Sequence, residues 1–189
     1  MVNPIYIVAV LLGTAFLLGF FKSPDLKLAR IIAFISLAFP VFVSLQWLVH
    51  FLSGASGAIQ IFTAGTTPPF SINLRMGMQE AFMSSAVNLL GMFGFLYMIR
   101  EFKNHGVRAV ILFITLIMGL NVIILSRDIF NIFVFLEIAS IALTGLIYLQ
   151  NSNNSSVAGF KYLIAVSVIS SFLLIGTGFF YFYSGTEKR

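Results

Sequence analysis

Glu137 lies near the middle of "SRDIFNIFVFLEIASIALTGLIYL", Ser126 to Leu149, a stretch that is otherwise apolar or small from Ile129 onward. If this stretch crosses a bilayer as a helix, the carboxylate is ~12 Å from the nearer end at about 1.5 Å of rise per residue. A charge at that depth costs on the order of 3 kcal/mol on insertion scales, so such residues face a protein interior or a water-filled cavity. A buried carboxyl is pushed toward neutrality by desolvation and toward ionisation by a nearby cation. A group held between those pulls can exchange protons as its surroundings move. Ser140 and Thr144 follow at i+3 and i+7, extending a polar stripe with the small Gly145 beside it. Two roles are open to Glu137. It is a proton-transfer or coupling group, or it is a neutral side chain that hydrogen-bonds a neighbouring helix.

The other polar residues in apolar surroundings divide in the same way. Lys161 opens a later apolar segment, where it either snorkels to the interface or reaches inward along its stem. In that segment Ser167, Ser170, Ser171 and Thr177 are read as falling close to one face, which suits a hydrated path or hydroxyl glue between helices. Asn88 and Asn121 suit interhelical hydrogen bonding more readily than ion ligation. His50 follows the interfacial Trp47 and is either a boundary histidine or a proton relay, and His105 falls in the loop "REFKNHGVR". Arg127 and Asp128 are adjacent, and Asp128 is well placed to cap a helix.

These residues need a membrane-embedded scaffold, and the composition supplies one. The chain is 59% hydrophobic and 9% charged, against about 25% charge in a soluble domain. The fold class is an all-α integral membrane protein of about six transmembrane helices, in a single membrane domain over residues 1–189. The spans are predicted at about 4–21, 29–52, 80–100, 107–126, 128–149 and 157–183. The apolar N-terminus lacks a basic leader and a cleavage signature, so it reads as a retained span. Pro40 should bend the second span. The connection 53–79 alternates in strand fashion at "IQIF" and "FSINLR" around "TAGTTPP", predicting a short β-hairpin. "NSNNSSVAG" at 151–159 reads as a polar loop.

Six spans put both termini on one side. The opposite linkers hold seven basic residues (Lys22, Lys27, Arg30, Arg100, Lys103, Arg108 and Lys161), against four (Arg75, Arg127, Lys188 and Arg189) on the terminal side. This predicts a multi-pass cell-membrane protein with both termini outside. The net charge of +5 is spread thinly through short loops, which argues against nucleic acid as a partner. With no cysteine and two distant histidines, no metal or cofactor site is expected; a quinone site among the aromatics stays open, but 22 phenylalanines in lipid need no cofactor.

"RDIFNIFVFLEIAS" resembles the fourth-to-fifth helix region of the proton-translocating antiporter-like family, in particular its Mrp D type. That family comprises large membrane-arm subunits of respiratory complex I, the A and D subunits of Mrp cation/proton antiporters, and counterparts in energy-converting hydrogenases. "AGFKYLIAVSVISSFLLIGTGFFYFYSGT" is similar to the family's sixth helix, with its "KY" opening and "GT" close. "PPFSINLRMGMQEAF" resembles the loop before its third helix, with the acidic residue common there replaced around Gly77–Met78. The resemblance implies that Glu137 is the carboxylate of a proton-transfer pair and that Lys161 corresponds to a basic residue opening the sixth helix. It also implies that the family's central lysine, on a seventh helix, comes from another subunit.

The function that follows is a short antiporter-like subunit of a larger ion-translocating complex, of the Mrp, energy-converting hydrogenase or related respiratory type. A structural docking subunit between membrane modules is the alternative, and an independent channel is the third. The expected partners are other membrane subunits and the bilayer, with any redox centre in other chains.

Overall fold

The computed structural model describes residues 1–20, 26–54, 57–62, 72–149 and 153–186, without the side chains of 103, 104, 153 and 184–186. The expected "TAGTTPP" turn, Lys22, Lys188, Arg189 and the Lys103 side chain lie outside that description. Six helices carry the fold: α1 (Ile5–Phe20), α2 (Leu26–Leu52), α3 (Met78–Met98), α4 (Glu101–Leu125), α5 (Ile129–Tyr148) and α6 (Asn153–Thr186). Between α2 and α3, β1 (Ile59–Phe62) pairs antiparallel with β2 (Asn73–Met76), in the register Ile59↔Met76 to Phe62↔Asn73. The alternation in "IQIF" and in the "NLR" of the second stretch marks these two strands.

Five helices, α2 to α6, contain stretches long and apolar enough to span a bilayer. The 16 residues of α1 rise only about 24 Å, short of a hydrocarbon core of roughly 30 Å. Two expected loops are helical instead. α6 starts at Asn153, so most of "NSNNSSVAG" forms its first turns. A helix end that projects into water needs no apolar residues, and hydropathy therefore misses it. Likewise α4 begins at Glu101, so His105 is in a helical turn and not a loop. The helix breaks at Gly106, whose φ of 72° only glycine adopts without strain.

α4 is the central helix and packs against α1, α2, α3 and α5; α2 also packs on α3, and α6 lies along α5. Phe95, Phe102 and Phe113 fill the α3–α4 core with ring centroids 5.2 to 6.0 Å apart. Between α4 and α5 small residues let the backbones approach. A Cβ placed on Gly119 would lie 3.0 Å from the Ala139 methyl and 3.3 Å from the Phe135 carbonyl. Close backbone approach is how helices associate where lipid removes the hydrophobic drive. Helical geometry continues through Pro40 in α2.

The hairpin is stitched to the α4–α5 turn. The Arg127 N–H donates to the Asn73 carbonyl at 2.9 Å, and Leu74 forms an isolated bridge with Ser126. One membrane face therefore carries the hairpin, the end of α2, the start of α3 and the α4–α5 turn. The opposite face carries the starts of α2, α4 and α6.

Candidate functional site

Asp128 fixes where α5 begins. Its Oδ1 accepts from the Phe130 N–H at 3.0 Å, capping the helix. The same oxygen accepts from the Tyr181 hydroxyl at 3.0 Å, which ties the far end of α6 to this turn. Glu137 follows nine residues later, about 13 Å along a 20-residue helix and so at mid-depth. α5 turns Ala139 and Ala142, both buried, toward the core. On another side it meets α6, where Gly159 sits against Ile147 and the Thr144 carbonyl. Glu137 is half-buried and lies one turn from the exposed Ile141, at the margin of the face that neither neighbour covers. Among the described residues its carboxylate has no hydrogen-bond or ion-pair partner.

The stripe Glu137–Ser140–Thr144 exists as the spacing predicts, but its hydroxyls are turned into the helix. Ser140 donates to the Leu136 carbonyl at 2.7 Å and Thr144 to the Ser140 carbonyl at 2.8 Å. Neither donates to Glu137.

Lys161 is exposed on α6. It stands nine residues, two and a half turns, before the buried Ser170, which puts it on the side of α6 away from α5. The structure therefore does not bring Glu137 and Lys161 together. The expected hydroxyl stripe on α6 also divides. Ser170 and Thr177 are buried, the Ser170 hydroxyl without a partner among the described residues, while Ser167 and Ser171 are exposed. Ser171 is about 100° around the helix from Ser170, too far to share its face, and Ser167, about 60° to the same side, falls past the edge of the strip that packs on α5.

His50 ends α2 on the hairpin face, 5.8 Å edge-on from Trp47, whose indole N–H donates to the Val2 carbonyl at 2.9 Å. It belongs to a boundary cluster on a helix that packs chiefly on α1, α3 and α4. Asn121 and Asn88 meet in a reciprocal amide pair, at 2.8 Å in one direction and 3.1 Å in the other. The Ser84 hydroxyl donates to Asn121 Oδ1 at 2.7 Å, and Asn88 also reaches Ser44 and the Pro40 backbone carbonyl. This network ties α2, α3 and α4 together and is fully buried. Its donors and acceptors are spent on one another.

One buried ion pair escaped sequence reasoning. Glu80, buried in the first turn of α3, forms an ion pair with Arg127 of the α4–α5 turn, and its other oxygen accepts from the Gly77 N–H at 2.9 Å. The available signal was two opposite charges, Glu80 and Arg127, bounding apolar spans at one membrane face.

Comparison with known proteins places this geometry. Residues 126–188 match the family described as NADH:quinone oxidoreductase/Mrp antiporter, TM. The D subunit of a probable K(+)/H(+) antiporter of Rhizobium meliloti is 28% identical over 150 residues, covering 77% of this chain and 28% of that protein. The N subunit of the NADH-quinone oxidoreductase of Trichlorobacter lovleyi is 36% identical over 94 residues, 49% of this chain and 19% of that one. A chain of the membrane-bound sulfane sulfur reductase, an archaeal respiratory membrane complex, superposes with a TM-score of 0.88 at 25% identity, over 97% of this chain and 38% of its own. The present chain thus spans under a third of these curated relatives. The matches bear out the resemblance read from the α5 and α6 segments: the chain is a multi-pass membrane protein related to antiporter-like subunits of Mrp and NADH-quinone oxidoreductase complexes.

Proposed function

We propose that this chain is an antiporter-like membrane subunit of a larger ion-translocating complex, in which Glu137 is a proton-transfer or coupling group. The observation that carries this reading is a carboxylate at mid-depth in α5, half-buried, unpartnered among the described residues and bordering an uncovered helix face. Left against lipid it would cost on the order of 3 kcal/mol. A neighbouring helix bearing a cation, or a file of water, removes that cost and supplies the group with which protons are exchanged. A further membrane subunit provides that partner, a mid-membrane lysine in this reading. The excess of basic residues opposite the hairpin orients the hairpin and both termini outward.

A second reading, a docking subunit that does not transport, is favoured by the separation of Glu137 from Lys161 and by the inward-bonded hydroxyls of Ser140 and Thr144. Glu137→Gln in the assembled complex distinguishes the two. Lost pumping with intact assembly supports proton transfer, and unaltered pumping leaves docking.

A further inference from the structure

The helices α1, α4 and α5 enclose an open-sided groove of about 510 Å³, within the range of sites that take small organic molecules. Its walls are Leu12, Phe16 and Gly19 of α1, Ile111 and Met118 of α4, and Ile138 of α5. Thr115 also faces it, but its hydroxyl donates to the Ile111 carbonyl at 2.9 Å, so the groove makes no polar demand of its own. It runs from mid-depth, at Leu12 and Met118, to the membrane face opposite the hairpin, at Gly19 and Ile111.

A cation stands at that end. Ile111, Thr115 and Met118 are at i+3, i+7 and i+10 from Arg108, so Arg108 continues the groove's own α4 stripe by one turn toward the membrane face. Arg108 is exposed and has no hydrogen-bond or ion-pair partner among the described residues. It lies just past the break at Gly106, where the α4 span begins. The same face carries Lys27, Arg30 and Arg100 against Glu101 alone among the described acids. From Arg108 to Met118 the helix rises about 15 Å, the reach of much of one acyl chain below its headgroup.

We propose that this groove is a binding site for one phospholipid with an anionic headgroup, its acyl chain lying between α1 and α4 and its phosphate against Arg108. The site is independent of the role proposed for Glu137. Apolar walls alone would take any lipid; the cation at the mouth selects an acidic one. Gly19 gives the proposal a sharp test, because a Cβ placed there meets nothing within 4 Å. A larger side chain at that position fills the groove without pressing on the core.

The experiment is native mass spectrometry of the full chain purified with its complex, equilibrated with equal amounts of dioleoyl phosphatidylglycerol and dioleoyl phosphatidylcholine. The wild type should retain one phosphatidylglycerol with a preference of about fivefold, the value of one cation near the headgroup plane. Arg108→Gln should remove the preference while keeping the lipid, and Gly19→Leu should remove both lipids. Equal retention of the two lipids by the wild type would overturn the proposal. So would unchanged binding by Gly19→Leu, or a cysteine at Gly19 that crosslinks to a partner subunit's helix in place of a photoreactive phosphatidylglycerol.

Discussion

Asn121 shows what a buried amide does when its neighbours answer it. Its oxygen accepts from Ser84 and Asn88, and its nitrogen donates to the Asn88 oxygen and to the Ile117 carbonyl, both at 2.8 Å. Asn121→Ala should leave Ser84 and Asn88 unsatisfied. Hydrogen bonds within membranes average about 0.6 kcal/mol and reach ~1.7, so a cost near the upper figure is expected when several are lost together. Unfolding in mixed micelles measures it, and a double-mutant cycle with Asn88→Ala should show strong coupling. Glu80 and Arg127 present the charged counterpart. Arg127→Gln strands a buried carboxylate at a cost of about 1–3 kcal/mol, discounted because Arg127 is partly exposed. Adding Glu80→Gln should recover most of the loss in the same assay.

At the scale of elements, the α4–α5 contact depends on Gly119. Glycine to alanine in a helix ordinarily stabilises by about 0.5–1 kcal/mol, and Gly13, with nothing within 4 Å of an added Cβ, should behave so. At Gly119 the new methyl meets the Phe135 carbonyl, a backbone atom that cannot swing aside, and overpacking should cost about 1–3 kcal/mol. Thermal melts of the two variants should therefore move in opposite directions. The helices were legible because long apolar runs admit few other readings, and the hairpin because "IQIF" alternates. The turns at 101–105 and 153–156 were hidden, since helix outside the hydrocarbon carries no hydropathy signal. On α5, Glu137 was legible from the anomaly of a charge amid apolar residues. The Glu80–Arg127 pair was not, because it joins positions 47 residues apart and depends on how the hairpin seats the α4–α5 turn. The inward bonding of Ser140 and Thr144 was hidden for a different reason: spacing gives the face a residue occupies, not the direction its hydroxyl turns.

Across the whole molecule, the two faces differ in kind. The hairpin face is closed by Trp47, the Glu80–Arg127 pair and the Asp128–Tyr181 hydrogen bond, while the opposite face carries most of the basic side chains among the described residues. α6 is peripheral. It leans on α5 and leaves its outer side, with Lys161, Ser167 and Ser171, uncovered. If further membrane subunits complete the assembly, a cysteine at Lys161 should crosslink to one of them in the intact complex. A cysteine at Phe95, buried against Phe102 and Phe113, should not.

Glu137 is where these scales meet, as a mid-depth carboxylate beside a face that its described neighbours leave uncovered. Proton flux into proteoliposomes holding equal amounts of assembled wild-type and Glu137→Gln complex tests its role. If Glu137 passes protons, the variant should lose at least about a hundredfold, the usual worth of a positioned acid–base group, with assembly unchanged. Equal flux from the two would contradict that role.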